Sequence, residues 1–303
     1  MEKREQKNIF CILPSHAKSH VCHRIGFLYI IIAMKYLLAA IDIDGTLSHS
    51  NKELSGYTVS TIIKAQKRGL RIVIASGRPT HGLSYYADLL HIYDYGGYVM
   101  AYNGGQITDY STGKCIYSQA LSPDAISAAI KLAREYKVTI IAYSETEILT
   151  ESPDDEYIPK LSRNNRMPIK GVEDFLKVAM EMNPAPVKLL LSCAPDRIDE
   201  VIKVFKDNLK DVIDVFKSAD TFVELVPKGI DKGSSLSILG GHLNIHPDQM
   251  IAFGDESNDI SMLKYVGMGV AVVNATEPAK AAADLITMSN NEDGVAHVID
   301  MML

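Results

Sequence analysis

Cysteine is scarce in this 303-residue chain, and Cys11, Cys22, Cys115 and Cys193 are scattered without CxxC spacing. That excludes a disulfide scaffold and a zinc ribbon, and it fits a cytoplasmic setting. Basic runs are missing too. The formal charge is −6, so a protein held to nucleic acid through the phosphate backbone is excluded. Near the N-terminus the apolar run falls far short of the ~18 residues that span a bilayer, and no membrane partner is expected. Internal repeats and low-complexity tracts are also absent. What remains is ordinary globular composition, 47% apolar and 22% charged, in a chain about twice the length of a typical domain. One core with a long insertion, or two domains, is the expectation.

Residues 1–33 stand apart. Lys3, Arg4, Lys7, Lys18 and Arg24 outnumber Glu2 and Glu5, and a short apolar run follows over 25–33. This has the outline of a secretion signal, but cleavage after Ala33 or Ala39 would abut or cut a strand expected over 36–43. Translation from Met34 is the simpler account, with 1–33 an extension outside the fold. His16, His20, Cys22 and His23 are irregularly spaced and read as a chance grouping rather than a metal site.

From residue 35 onward strand and helix signals alternate. Apolar runs at 36–43, 70–75 and 98–102 read as buried strands, with helices over 57–68 and 79–90 between them. Ser55 is placed to cap the first of these helices and Gly69 to end it. Such β-α-β-α-β order implies right-handed crossovers and a parallel sheet. Around Gly104 the style changes. A hairpin is expected over 106–118, then helices over 123–136, 172–180 and 195–208. Strands are expected over 138–143, 147–150, 187–193, 212–217 and 221–226, with a polar stretch at 152–170. After Pro227 the parallel style resumes, with helices over 232–243, 258–265 and 277–283 and strands over 250–253 and 268–272. The partition predicted is therefore a Rossmann-like α/β core over 34–105 and 226–303, interrupted by an α+β unit over 106–225.

Asp42-Ile43-Asp44-Gly45-Thr46 leaves the first strand. In open α/β sheets ligand chemistry sits at the carboxyl ends of strands. An aspartate there can attack phosphorus, forming and then losing an acyl phosphate. A second can protonate the leaving oxygen and then deprotonate water. Close carboxylates repel one another, which a bound Mg²⁺ would relieve. Gly45 lets backbone approach a phosphate, and Thr46 supplies a hydroxyl. Taken alone, the motif also reads as acids capping a turn.

Three further segments join it. Ser76, with Gly77, follows the second strand and suits a phosphate oxygen, although a lone Ser there more often caps a helix. Lys232 opens a helix, where a cation is disfavoured unless something negative lies near; Asp231 is the local candidate and a shared phosphate the functional one. Asp255, Asn258 and Asp259 follow the strand at 250–253 and form a hard-oxygen set suited to Mg²⁺. Asp255 is the direct ligand expected, Asp259 and Asn258 orient ligands and water, and Glu256 faces solvent.

In that order, Asp42-x-Asp44-Gly-Thr46, Ser76, Lys232 and Gly-Asp255-x-x-Asn258-Asp259 resemble the motifs of the haloacid dehalogenase superfamily of phosphatases. The insertion after the second motif resembles the Cof-type, class IIB cap (C2B), and Tyr102-Asn103-Gly104-Gly105 resembles that branch, where the Asn lies near substrate. The resemblance covers residues 34–303. It implies Asp42 as nucleophile and Asp44 as general acid/base, with Asp42, Asp255 and the Asp44 carbonyl on magnesium. Thr46, Ser76, Gly77, Asn103, Lys232 and Asn258 then hold phosphate or substrate. The substrate expected is a small phosphorylated metabolite, and the protein a monomer or small homo-oligomer. Two other readings stay open: phosphotransfer, as in phosphomutases of the same superfamily, and a non-catalytic metabolite-binding protein. Tyr143, Glu145 and 163–170 are cap features that read better as packing or solvated residues, as do His81 and His91.

Overall fold

Leu38–Ile41 (β1) consists of four apolar residues with no solvent exposure, the pattern of a strand covered on both faces. The computed structural model describes residues 36–303, so the extension and its His/Cys grouping lie outside the described residues. After β1 come Gly56–Lys67 (α1), Arg71–Ala75 (β2), Ser84–Leu89 (α2) and Tyr98–Ala101 (β3). The hairpin Gln106–Asp109 (β4) and Cys115–Ser118 (β5) follows. The next stretch holds Pro123–Glu135 (α3), Thr139–Tyr143 (β6), Ile148–Thr150 (β7), Ile158–Asn165 (α4), Ile169–Gly171 (β8) and Phe175–Glu181 (α5). It ends with Leu189–Ser192 (β9), Ile198–Leu209 (α6), Ile213–Ala219 (β10) and Phe222–Pro227 (β11). The C-terminal part is Lys232–Leu243 (α7), Met250–Gly254 (β12), Ile260–Tyr265 (α8), Met268–Val272 (β13), Glu277–Ala282 (α9), Leu285–Thr287 (β14) and Gly294–Met301 (α10).

Two sheets result. The first has the order β14-β13-β12-β1-β2-β3-β4-β5, parallel from β14 to β3. The chain winds from β1 through β2 to β3 on one side and through β12 to β14 on the other. β1 is thus the switch point, where such sheets open a crevice at their carboxyl ends. The second sheet has the order β10-β11-β9-β6-β7-β8. Helices α3, α5 and α6 cover one of its faces, with Phe175 and Phe205 fully buried there, worth about 2–3 kcal/mol each in transfer from water. Its other face packs toward the first sheet through Ile141, Tyr143, Leu190 and Phe222. Among the described residues no helix is long and apolar enough to cross a membrane.

The hairpin at 106–118 corrects the expected partition. β4 pairs antiparallel with β3, in register Met100↔Ile107, and Ile107 is fully buried in the first core. Its apolar side chain extends that core, so β4 and β5 widen the first sheet and the inserted unit begins with α3. The polar stretch at 152–170 holds α4 and the start of β8, and past residue 283, where no element is expected, come β14 and α10. The helix expected over 79–90 is a 3₁₀ turn, Thr80–Leu83, followed by the short α2.

Candidate active site

Asp42 emerges directly from β1, between β2, which delivers Ser76, and β12, which delivers Asp255. Lys232 starts α7, and Asp231 caps that helix by accepting from Ser234 N at 2.9 Å. Asp231 is therefore occupied by the backbone, and Lys232 finds its anions elsewhere. Its Nζ, fully buried, donates to Asp42 Oδ1 at 2.7 Å and to Asp259 Oδ1 at 2.6 Å. Asp259 Oδ2 accepts from the Asp255 and Glu256 amides at 2.9 and 3.0 Å, which folds the turn and aims Asp255. Glu256 is exposed.

Oxygens of Asp42, Asp255 and Asp259, all buried, lie within 4.8 Å of one another. Three carboxylates share one ammonium, and the imbalance adds to the rise of two of them, Asp42 and Asp255. Burial pushes Asp42 well above the usual carboxylate range, against the pull of Lys232 and with Asp259 and Asp255 adding to the rise. Burial likewise pushes Asp255 up, to about 6, in spite of its hydrogen bond from Thr46. Burial alone would lower Lys232, but Asp259 and Asp42 outweigh it and hold the ammonium charged. A buried, all-oxygen donor set short of positive charge fits a hard divalent cation.

The hydroxyl of Thr46, expected on phosphate, instead donates to Asp255 Oδ1 at 2.8 Å with the residue almost wholly buried. It orients a carboxylate. Gly45 has φ +85°, and a side chain on it would collide with Asp255 Oδ2, so only glycine lets the two strand ends approach.

Asp44 points away from the carboxylate cluster. Arg78 grips it through Nε–Oδ2 and Nη2–Oδ1, both 2.7 Å, and Lys52 Nζ reaches Oδ1 at 2.8 Å. Burial raises Asp44, but the Arg78 and Lys52 contacts win and hold it at about 2. Ser76 is buried and caps no α-helix: its Oγ accepts from Arg78 N at 3.3 Å. Asn103 N donates to Ser76 O at 2.9 Å, and Asn258 Nδ2 to Asn103 Oδ1 at 2.9 Å. Tyr102 and Asn103 both have left-handed backbone, φ 54° and 56°, strain of the kind concentrated at functional sites.

Asp42, Asp44, Ser76, Arg78, Asn103, Asp255 and Asn258 line one cleft of about 1300 Å³ between the sheets, while Lys232, Asp259 and Thr46 are buried against them. Tyr143 lies at its wall, 6.3 Å between ring centroids from Tyr102. Arg166 stacks on Tyr85 of the first unit, 3.5 Å from the ring centroid. His81 and His91 lie outside the cleft lining, and His91 bonds Asp94. Residues not singled out from sequence are Lys52, Arg78, Lys188 and Glu224. For Lys188 and Glu224 a signal existed, because each is a lone charge inside or abutting an apolar strand run.

A family model for haloacid dehalogenase-like hydrolases matches residues 39–299. A solved haloacid dehalogenase-like hydrolase from Bacteroides thetaiotaomicron is 39% identical, with a TM-score of 0.85 over 89% of this chain and 100% of that one. TM0651 from Thermotoga maritima is 30% identical, with a TM-score of 0.79 over 88% and 97%. The 5-amino-6-(5-phospho-D-ribitylamino)uracil phosphatase YitU of Bacillus subtilis is 26% identical over 271 residues, 88% of this chain and 97% of its own. This chain belongs to the haloacid dehalogenase-like hydrolases, as a phosphatase of the Cof type.

Proposed function

We propose that this chain hydrolyses phosphate monoesters of small metabolites with Mg²⁺, through an aspartyl phosphate on Asp42. The observation that carries the reading is the convergence of four separate segments on one end of the sheet: Asp42, Ser76 and Asp255 line one cleft, and Lys232 is buried against Asp42. Mg²⁺ held by Asp42, Asp255 and the Asp44 carbonyl would screen the phosphate from the carboxylates.

Lys232 fixes Asp42 Oδ1 and leaves Oδ2 to attack phosphorus while the ester P–O bond breaks. Ser76 and the 76–78 backbone receive the phosphate oxygens. Asp44 donates its proton to the leaving alkoxide, then takes one from the water that cleaves the Asp42–phosphorus bond, releasing inorganic phosphate. Gripped by Arg78 and Lys52, Asp44 is a carboxylate and a poor acid. An arriving phosphate dianion competes for those two cations, which raises the proton affinity of Asp44, and Asp44 takes a proton from solvent before the leaving alkoxide departs.

The test is phosphate release from sugar phosphates, nucleotides, pyridoxal phosphate and flavin mononucleotide, with Mg²⁺ and with EDTA. Asp42→Asn is expected to lose at least about a thousandfold in kcat, and EDTA to abolish turnover. Activity that survives either change overturns the mechanism.

A further inference from the structure

The inserted sheet turns a mostly apolar face toward Asp42. On β9, Leu189 and Leu191 point into the helix-covered core and Leu190 to the catalytic side, where Lys188, just before the strand, also reaches. On β11, Val223 and Leu225 point to the helices, and Phe222 and Glu224 to the catalytic side. Lys188 and Glu224 form an ion pair on that face at 2.8 Å, their side chains 4% and 10% exposed. Stability does not explain such a pair, because lost hydration generally matches or exceeds the attraction recovered. On an apolar sheet face, a few placed polar groups are what orient a ligand.

The pair is tied to the phosphate side of the cleft. Lys188 Nζ also donates to Gly77 O at 2.9 Å, the residue after Ser76. Glu224 Oε1 accepts from Lys188 and from Ser218 Oγ at 3.0 Å. Oε2 meets Asn103 Nδ2 at 3.4 Å, beyond the best range for such a bond. One carboxylate oxygen therefore retains acceptor capacity, held rigidly beside the place where the ester's leaving group would lie.

We propose that Glu224 determines specificity by accepting hydrogen bonds from hydroxyl groups of the leaving alcohol. The substrate class is then the monophosphates of polyhydroxylated chains or rings, and a second phosphate close to the ester is repelled. Lys188 acts as a positioning residue that orients the carboxylate against the Gly77 loop. The proposal rests on ester hydrolysis at Asp42.

The test compares kcat/KM of the full chain, with Mg²⁺, on sorbitol 6-phosphate and on hexyl phosphate, which has the same carbon count and no hydroxyls. The wild type is expected to favour the polyol ester by about a hundredfold or more, since a site built to bond hydroxyls rejects analogues lacking them. Glu224→Gln, checked for folding by thermal melting, is expected to shrink that ratio by about tenfold or more, mostly through KM. Equal rates on the two esters in the wild type overturn the role of Glu224 while leaving hydrolysis intact, and need no variant. Loss of both esters to the same degree in a folded Glu224→Gln protein also overturns it. No phosphate from either ester, with release from nucleotides, pyridoxal phosphate or flavin mononucleotide, overturns the role of Glu224, and no release from any of them overturns the hydrolytic reading itself.

Discussion

Asp255 shows how a single side chain is held at a cost to the fold. Its carboxyl is raised from 3.8 to about 6, first by burial and then by Asp259 and Glu256. The folded chain binds this proton more tightly than the unfolded chain does. Its contribution to stability therefore falls as pH rises from about 4 to about 6 and stays unfavourable above that. Asp255→Asn removes the charge and keeps an acceptor for Thr46. In EDTA at about pH 7.5 this variant is expected to be more stable than the parent, by on the order of 2 kcal/mol, with the difference shrinking toward pH 4. Its phosphatase activity is expected to be lost. Denaturant unfolding at the two pH values checks the first point, and a variant no more stable at pH 7.5 would refute it. At this scale the sequence was legible where a polar side chain follows a buried strand at once, as at Asp42, Ser76 and Asp255. Arg78 and Lys52 were not legible, because their meaning depends on the direction Asp44 turns. The bond from Thr46 to Asp255 was not legible for a similar reason: the two lie 209 residues apart.

The elements bring these residues together through close backbone approaches. Gly104, φ +100°, ends the strained 102–104 turn after β3, and a Cβ on it would lie 2.5 Å from Ser235 Oγ and 2.8 Å from Asp231 O. Both belong to the start of α7, and Ser235 Oγ donates to Gly104 O at 2.7 Å. Gly104→Ala would force α7 away from β3, taking Lys232 from Asp42 and disturbing Asn103. The expected result is a loss of about 2 kcal/mol or more of stability and a fall in kcat larger than any change in KM, read by denaturant unfolding and steady-state kinetics. An alanine variant with parental kcat would show that the α7 approach is not what places Lys232. Elements with strong periodicity and a cap were readable in advance, among them α1, whose Ser55 accepts from Thr58 N at 2.9 Å. α4 was not. It is polar along most of its length, and tertiary contacts hold it: Arg78 donates to Asn164 O, and Arg166 just past its end stacks on Tyr85. The hairpin at 106–118 was legible as a hairpin, but its place was not: expected in the inserted unit, it pairs with β3 in the first sheet, because local pattern says nothing of which edge a ribbon joins.

At the scale of the whole molecule, a formal charge of −6 by itself opposes an anionic substrate, and the distribution of that charge resolves the conflict. The acids Asp42, Asp44 and Asp255 line the inner cleft, whereas Lys160, Lys206, Lys217 and Lys264 line it with exposed side chains from α4, α6, β10 and α8. Lysines around a concave mouth focus field toward it and raise the encounter rate of a phosphate dianion, whatever the total charge. Exposed charges are screened over about 10 Å at 0.1 M salt, so the effect must be sensitive to ionic strength. Raising salt from roughly 20 to 300 mM is expected to lower kcat/KM for a phosphate monoester by about threefold to tenfold with little change in kcat. Lys160→Glu combined with Lys217→Glu should lower kcat/KM at low salt and flatten the salt dependence, because the two lysines lie at the mouth and away from Asp42. A parental salt profile in that double variant would place the attraction wholly in the inner cations, Arg78, Lys188 and Lys232, and remove the mouth from the account of how an acidic protein gathers its anion.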